Sequence, residues 1–558
     1  MASNLSGFLK ELKRRKVYHV GAAYAAAALV IATASTELYP ILQLPEWTPG
    51  LVVLLLVVGF PVALVLAWAY ELKPEDGNRL ADPPSDPPAN DGGRKSIVVL
   101  PFDNMSPDPG DAYFCDGLTE EVITDLSCCG LLRVISRNSA MALKDTRKDT
   151  KSIAKDLNVQ YVLEGSVRKS NEDLLVTAQL IDANLDEHIW AERFTGTLQD
   201  VFEIQGRLSK SIVDSLKLKL TDEEEDHLLQ RPIDDPKAYD TYLLATHEMG
   251  KITEEGIDRA IVLTEKALGS IGENALLASV LSKCHYFAYD FGFRHQEETL
   301  SEAERWASKA LDLDPGLGQA HHAMGLVQYK RGDLPGFIRW GRRAVELSRK
   351  SDPWPLLAFV LAEVGLMEEA SEYADQIVAD DPLSFFSHWA KGGIEIFSGF
   401  PDLALGRLDD AVERLSDEGP FSLWWAAQAA AYAGQEDRAR RGFERVAGMK
   451  AGAFSDLGEL FRRALLDDPD GTKEIAERPF IKKVCETDEY LSIYVANAAS
   501  RVGLLEEAID WVEKGVAWGF TNHEFLSSHN RFVEPLREIP RFQSAVELAQ
   551  QKATTAGL

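Results

Sequence analysis

Over the second half of the chain, small or apolar residues recur in pairs seven apart, and the pair returns every 33 to 37 residues for most of the length from Gly250 to Gln550. First members run Ala303, Phe337, Ala370, Ala404, Ala439, Ala476 and Ala508; second members run Ala310, Ala344, Ile377, Ala411, Val446, Lys483 and Gly515, with Ala260 and Ala267 as an earlier, more distantly spaced pair. Seven residues make about two helical turns, so both members share one face. Gly332, Gly365, Gly399, Gly434, Gly471 and Gly503 each stand five before a first member, where a helix-to-helix turn needs an unhindered backbone. The pattern predicts a solenoid of helix pairs over 236–550, a fold whose usual output is surface rather than chemistry.

A different pattern marks the other end. No charged residue occurs from Val17 to Thr36 or from Trp47 to Tyr70, and each run is long enough to cross a hydrocarbon core of ~30 Å. The expectation is a transmembrane helical hairpin over 17–71 that makes the bilayer a partner. The basic cluster Lys10, Lys13, Arg14, Arg15 and Lys16 lies in a cytosolic N-terminus, 1–16, and the loop Glu37 to Glu46 lacks Lys and Arg. Positive flanks are retained inside, so the expected placement is a two-span bacterial inner-membrane protein with cytosolic soluble domains. Residues 72–94, rich in Pro, Asp and Gly, predict a flexible linker.

From 95 to 220 the period changes repeatedly. Ser96 to Phe102 suits a buried strand, and Phe114, Leu118, Val122 and Leu126 recur at helical steps. Strands are expected at Leu132 to Ser136, Tyr161 to Arg168, Leu174 to Ala183 and His188 to Phe194, with a short helix near Ser152 to Leu157. Val201, Ile204, Leu208, Ile212 and Leu216 form one helical stripe. The segment reads as a small α/β domain with a mixed sheet of four or five strands, so the whole chain is expected to be multi-domain: two transmembrane helices, this α/β domain and an all-α solenoid.

The stretches SEAERWASKALDLDP (Ser301 to Pro315) and GLMEEASEYADQIVADDP (Gly365 to Pro382) resemble the tetratricopeptide repeat (TPR) family, a 34-residue helix-turn-helix unit. Phe337, Lys483 and the irregular stretch 448 to 488 depart from it. SIVVLPFDNMSPDPGDAYFCDGLTEEVITDL, YVLEGSVRKS and LIDANLDEHIWAERF resemble the bacterial TolB-amino-terminal-like, FlgO-related family. In that family the domain often stands between a membrane hairpin and tetratricopeptide repeats, and sometimes follows a class III cyclase or a winged-helix domain. Here the first residues, SGFLKELKRRKVYHVGAAYAAAALV, resemble its membrane module and are expected to leave no room for such a domain. The resemblance implies no catalytic residues.

Composition narrows the chemistry. With 59 basic and 88 acidic residues the net charge is −29, which repels nucleic acid. An odd number of cysteines, five, without a CxxC pair, suits a reducing compartment. There is no phosphate-binding GxxxxGK[ST]. His523, Glu524 and His529 do not have zinc-protease spacing, because six residues put the two imidazoles on different helix faces. Ser166 and Lys169 form an SxxK match on a strand, where odd spacing separates the side chains. Ser152 reads as a helix start, and the acidic pairs Glu120–Glu121 and Asp380–Asp381 read as solvated helix faces. No catalytic, metal or cofactor constellation is expected.

In such solenoids the first helix of each pair lines the concave face. Counting back from the turn glycines puts Tyr329, Lys330, Phe359, Phe386, Trp389, Phe397, Phe421, Trp424 and Tyr432 on or near it. They form the candidate groove for a protein or peptide with apolar anchors and basic residues, the alternative for many of them being to fill the joints between helices. The functional expectation is a non-enzymatic, membrane-anchored adaptor or signalling scaffold. A periplasm-facing envelope-assembly factor, an enzyme without a recognisable motif such as a cyclase-associated protein, and homo-oligomerisation stay open.

Overall fold

The computed structural model describes residues 94–555, apart from 145–147, 171, 229–230, 292, 295, 349–353, 450 and 487. The described residues all lie in one compact unit, Asp86–Leu558.

Strand β1 (Lys95–Val99) is a continuous apolar run because it is buried on both faces, with Ile97, Val98 and Val99 inaccessible. It pairs in parallel with β3 (Leu132–Val134) on one side and β4 (Tyr161–Ser170) on the other, and the short β2 (Asp103–Asn104) also runs parallel to β4. From β4 the chain turns back into β5 (Asp173–Asp182) and then β6 (Glu187–Thr197), both pairings antiparallel. The order across this mixed sheet is β3-β1-β4-β5-β6. In β5 the alternation is clean: Leu174, Val176, Ala178 and Leu180 are buried while Thr177 and Gln179 are half-buried, as expected for an antiparallel sheet with one covered face.

Helix α1 (Ala112–Ser127) buries Phe114, Leu118, Val122 and Leu126. It is followed by the short α2 (Arg137–Met141) and α3 (Thr150–Leu157). Asp149 caps α3 by accepting from Ser152 N, so Ser152 sits inside the first turn and is not its start. After β6, α4 (Val201–Ser215) lays Val201, Ile204, Leu208 and Ile212 into the same core.

Beyond α5 (Asp222–Leu228) the chain is a helical repeat region. Its antiparallel pairs are α6 (Pro236–Met249) with α7 (Glu254–Ile271), α8 (Ala275–Asp290) with α9 (Glu297–Leu313), α10 (Gly318–Lys330) with α11 (Leu334–Ser348), and α12 (Trp354–Glu363) with α13 (Met367–Asp380). The series continues with α14 (Phe385–Phe397) and α15 (Pro401–Leu415), α16 (Pro420–Tyr432) and α17 (Glu436–Ala447), and α18 (Ala453–Leu465) and α19 (Pro469–Ala476). An extra short helix, α20 (Pro479–Glu486), interrupts the pairing before α21 (Glu489–Arg501), α22 (Leu505–Trp518) and the terminal α23 (Pro540–Thr555).

Small residues at the repeat positions are buried where helices touch: Ala303, Ala310, Ala344, Ala370, Ala404, Ala411, Ala439 and Ala508 are inaccessible. Gly332, Gly365, Gly399, Gly434 and Gly503 have φ between 75° and 90°. Each closes its helix by the paired bonds of a left-handed C-terminal cap, as in Gly365 N to Ala362 O and Leu366 N to Leu361 O. Gly471 does not belong to this set. It lies within α19, and the left-handed residue of that turn is Asp467, at φ 54°. Asp tolerates this region better than most residues, which is why a glycine count misplaced the irregular repeat.

The expected fold class needs correction. The architecture is mostly helical, a small mixed-sheet domain followed by a helical repeat region, and no helix among the described residues is long and apolar enough to cross a membrane. The hairpin expected over 17–71 lies outside the described residues, and neither the two spans nor the inner-membrane placement is retained.

The turn glycines yield a stability test. A Cβ at Gly332 would stand 2.5 Å from the Trp518 ring, whereas one at Gly503 would meet nothing within 4 Å. Gly503→Ala should therefore cost only the left-handed backbone penalty of about 1–2 kcal/mol. Gly332→Ala should lower the apparent melting temperature further, and circular-dichroism melts of the two variants check the order.

Candidate interaction surface

The first helices α10, α12, α14 and α16 carry all nine candidate groove residues, and the chain itself fills much of the space beside them. Helix α21 lies against them, buried almost all round, polar Glu489, Ser492, Asn497 and Ser500 included. Phe359 packs at ring distances of 4.7 Å from Trp389, 5.5 Å from Phe397 and 5.6 Å from Tyr490 of α21. Trp425, which the groove reading missed, stacks on Tyr490 at 5.1 Å. Trp424 Nε1 donates to Tyr494 Oη at 2.9 Å, and Tyr494 Oη donates to Leu457 O. Asn497 Nδ2 donates to Tyr432 Oη at 2.8 Å. Phe359, Phe397, Trp424 and Tyr432 are thus brought together beneath α21 as buried side chains, and Trp389 is buried against Phe359.

The end of α22 and the segment after it complete the closure by crossing the C-terminal ends of successive first helices. Trp518 covers Gly332. Thr521 N and Asn522 N donate to Glu363 O, and Asn522 Nδ2 donates to Ala362 O, at the end of α12. His529 Nδ1 meets Phe397 O at 2.8 Å at the end of α14, and Arg531 donates to Ala431 O near the end of α16. The segment satisfies carbonyls that every helix leaves without an internal partner. His529 is placed by this task and His523 N bonds to Thr521 O, so the HExxxxH stretch serves the closure. Among the described residues no group of His, Cys, Asp and Glu is placed to hold a metal ion.

Two parts of the candidate set stand elsewhere. Tyr329 and Lys330 sit at the end of α10, where Lys330 Nζ is 2.6 Å from Asp290; burial alone would lower this ammonium, but Asp290 and neighbouring groups hold it above its ordinary value. At the opposite end of the first helices, Phe386 is 55 % exposed. Its ring lies 5.3 Å from Phe421 and 6.2 Å from Trp389, and Phe421 continues to Phe454 at 6.0 Å. Trp389 Nε1 is buried without a hydrogen-bond partner. This aromatic row, at the starts of α14, α16 and α18, reaches solvent through Phe386 and in part through Phe421.

The α/β domain is locked to the repeats at two places. Lys169 Nζ, the lysine of the SxxK match, bonds Asp240 Oδ1 at 3.0 Å and Tyr113 Oη at 3.1 Å, and Tyr113 donates to the same Asp240 oxygen. Burial opposes the charge on Lys169, yet Asp240 keeps its ammonium protonated well above the usual lysine range, which leaves no free amine for catalysis. Ser166 plays no part in this contact. The second lock centres on Asp381, which is 1 % exposed and so is not a solvated helix face. Its Oδ1 accepts from Ser136 Oγ, from Ser139 N at 3.1 Å and from Ser139 Oγ at 2.7 Å. Ser136 N donates to Asp380 O, and Leu383 N returns a bond to Ser139 Oγ. A carboxylate from the α13–α14 loop therefore caps the first turn of α2, across 242 residues of sequence. The remaining acidic pair is also engaged: Glu120 lies 2.8 Å from Arg137. Cys115, Cys129, Cys284 and Cys485 are buried and outside any disulfide, and burial pushes Cys115 and Cys284 up to about 12, outside the range of a reactive thiolate.

Two substitutions test these packing roles. Trp424→Ala should cost ~3–5 kcal/mol of stability, read as early melting or loss of soluble protein, in contrast to an exposed anchor. Asp381→Ala leaves several buried donors unpaired, at ~1–3 kcal/mol for each. Its expected signature is separation of the melting of the α/β domain from that of the repeats, followed by hydrogen exchange in α2.

A family model describing the HilA/YgeH-like transcriptional regulator, second domain, matches residues 93–215, the stretch that forms the sheet and α1 to α4. A Rhizobium meliloti (strain 1021) protein named "Putative adenylate cyclase 3" is 35% identical over 263 residues, 47% of this chain; the chain spans 37% of that protein's length. Among solved structures, YrrB, described as a TPR protein with an unusual peptide-binding site, is 17% identical with a TM-score of 0.25, covering 34% of this chain and 93% of that one. Pseudomonas aeruginosa pilF is 19% identical with a TM-score of 0.28, covering 37% of this chain and 93% of that one. By its own helix pairs and turn geometry, the chain carries a helical repeat array similar to tetratricopeptide repeats after an α/β unit similar to the second domain of HilA/YgeH-like regulators.

Proposed function

We propose that this protein is a non-enzymatic interaction scaffold, and that its repeats take a protein or peptide partner at the aromatic row Phe386, Trp389 and Phe421. The observation that carries this reading is the exposed Phe386 ring, backed by Phe421 and Trp389, since α21 covers the other inner-face aromatics. Aromatic side chains with a fixed backing are the residue type that dominates binding energy. With a net charge of −29, the chain favours a partner with basic residues around an apolar anchor. The domain layout proposed is a TolB-N/FlgO-like α/β domain over 95–220 and repeats over 236–550, the former acting as the rigid mount for the latter.

A second reading follows from the Rhizobium meliloti relative: the chain is a module of a cyclase-linked signalling system. Formation of cyclic AMP from ATP by the purified chain would favour that reading over a scaffold.

For the scaffold, Phe386→Ala should weaken capture of the partner by about tenfold or more, about 1.4 kcal/mol, with the melting temperature unchanged. A variant that melts as the parent does and still captures the same partner at full strength removes the row from the binding surface.

A further inference from the structure

Helix α21 enters the repeat array with a carboxylate at its first position, and a second carboxylate waits for it. Glu489 is buried, and Glu363, the last residue of α12, is 1 % exposed. Glu489 adjoins Tyr490, whose ring lies 5.6 Å from Phe359 of the same α12, and its carboxyl acts directly on that of Glu363. Neither oxygen of Glu363 has a donor from another group, nor does Oε1 of Glu489. Two carboxylates offer only acceptors to one another, so a bond between them requires a proton. The same residue, through its backbone, receives Thr521 N and Asn522 N from the closing segment, so α21 and that segment converge on the end of α12.

The positive charge nearby, on Lys330, draws Glu489 down by less than burial and Asp488 raise it. Asp488 caps α21 by accepting from Leu491 N at 2.7 Å. From α8 come Tyr286 and Asp290, from α10 Tyr329 and Lys330, and from α21 itself Tyr490, whose hydroxyl donates to Gln428 of α16. Lys330 is the cation of this cluster, and it is engaged by Asp290. Among the described residues no ligand set for a metal ion is formed here.

We infer that Glu363 and Glu489 share a proton, and that this proton is a latch seating α21 in the repeat array: its loss leaves adjacent buried negative charges that loosen α21 from α12. Burial first, and then the neighbouring carboxylates, raise both groups, Glu489 to about 8 and Glu363 well above the carboxylate range. In the released or unfolded chain both return to the ordinary value of ~4.3. The closed state therefore holds more protons than the open one between the two limits, and closure weakens as pH rises through that window. Opening would uncover Phe359 and Trp425, which Tyr490 now covers.

Hydrogen exchange of the full chain, corrected for the intrinsic pH dependence of exchange, tests the latch. Protection of α21 should fall by about tenfold per pH unit from pH 6 to about pH 8 for each proton released, while α1 of the α/β domain stays constant. In Glu363→Gln the amide donates to Glu489 at every pH, so the pH dependence of α21 should shrink, and Glu489→Gln should act alike. Equal pH dependence in the parent and a folded variant overturns the inference. Should neither variant fold, the parent alone decides: α21 protection that is constant with pH, or that changes only in step with α1, overturns it as well.

Discussion

The burial of α21 and its trailing segment inside their own repeat array is the contact on which the rest of the C-terminal structure depends. Repeat arrays are held together by neighbouring repeats and leave a concave face open. Here contacts between residues far apart in sequence, such as Trp424 with Tyr494 and Phe359 with Tyr490, tie the middle repeats to the last ones. The turn glycines serve this closure as well as the turns. Their missing side chains let Trp518, His529 and Arg531 approach the ends of the first helices.

The closure changes what the array offers to a partner. An open superhelix would present its inner aromatics as a continuous site, but five of the candidate residues are buried and contribute to cohesion. Phe386 remains accessible because it lies at the other end of α14 from the closing segment. The same contrast separates the α/β domain from a freely tethered module. Apolar residues from Ile97 to Ala288 form one core that joins the sheet to the first repeat helices, while Asp381 and Lys169 fix the orientation by directional bonds. A force applied to either part is transmitted through buried polar contacts that cost heavily if left unpaired.

Individual elements were legible wherever periodicity reflects a single buried face. Phe114, Leu118, Val122 and Leu126 announced α1, the alternation in Leu174 to Leu180 announced β5, and the small residues from Ala303 to Ala508 announced the helix pairs. Legibility failed where one residue type replaced another in the same conformation, as Asp467 replaced a turn glycine. It failed again where a polar residue gained a distant partner: Asp381 looks like an ordinary acidic residue before a proline until Ser136 and Ser139 are beside it. The aromatic positions were found but their surroundings were not. A helix face only one residue wide gives the direction of Phe359 or Trp424, and nothing in its own repeat reveals that α21 will cover it.

The sequence by itself determined the local structures, the repeat phase and the absence of the familiar nucleotide- and zinc-binding motifs, because these depend on residues within one or two helical turns of each other. Only the tertiary structure decided which inner-face aromatics are buried, that Asp381 belongs to the α/β domain's helix cap, and that Glu363 meets Glu489. Such contacts depend on the summed rotation from one repeat to the next, which brings α21 back to α12 across more than 100 residues. Small angular increments, each set by how the neighbouring side chains pack, accumulate into that return, and no local pattern records their sum.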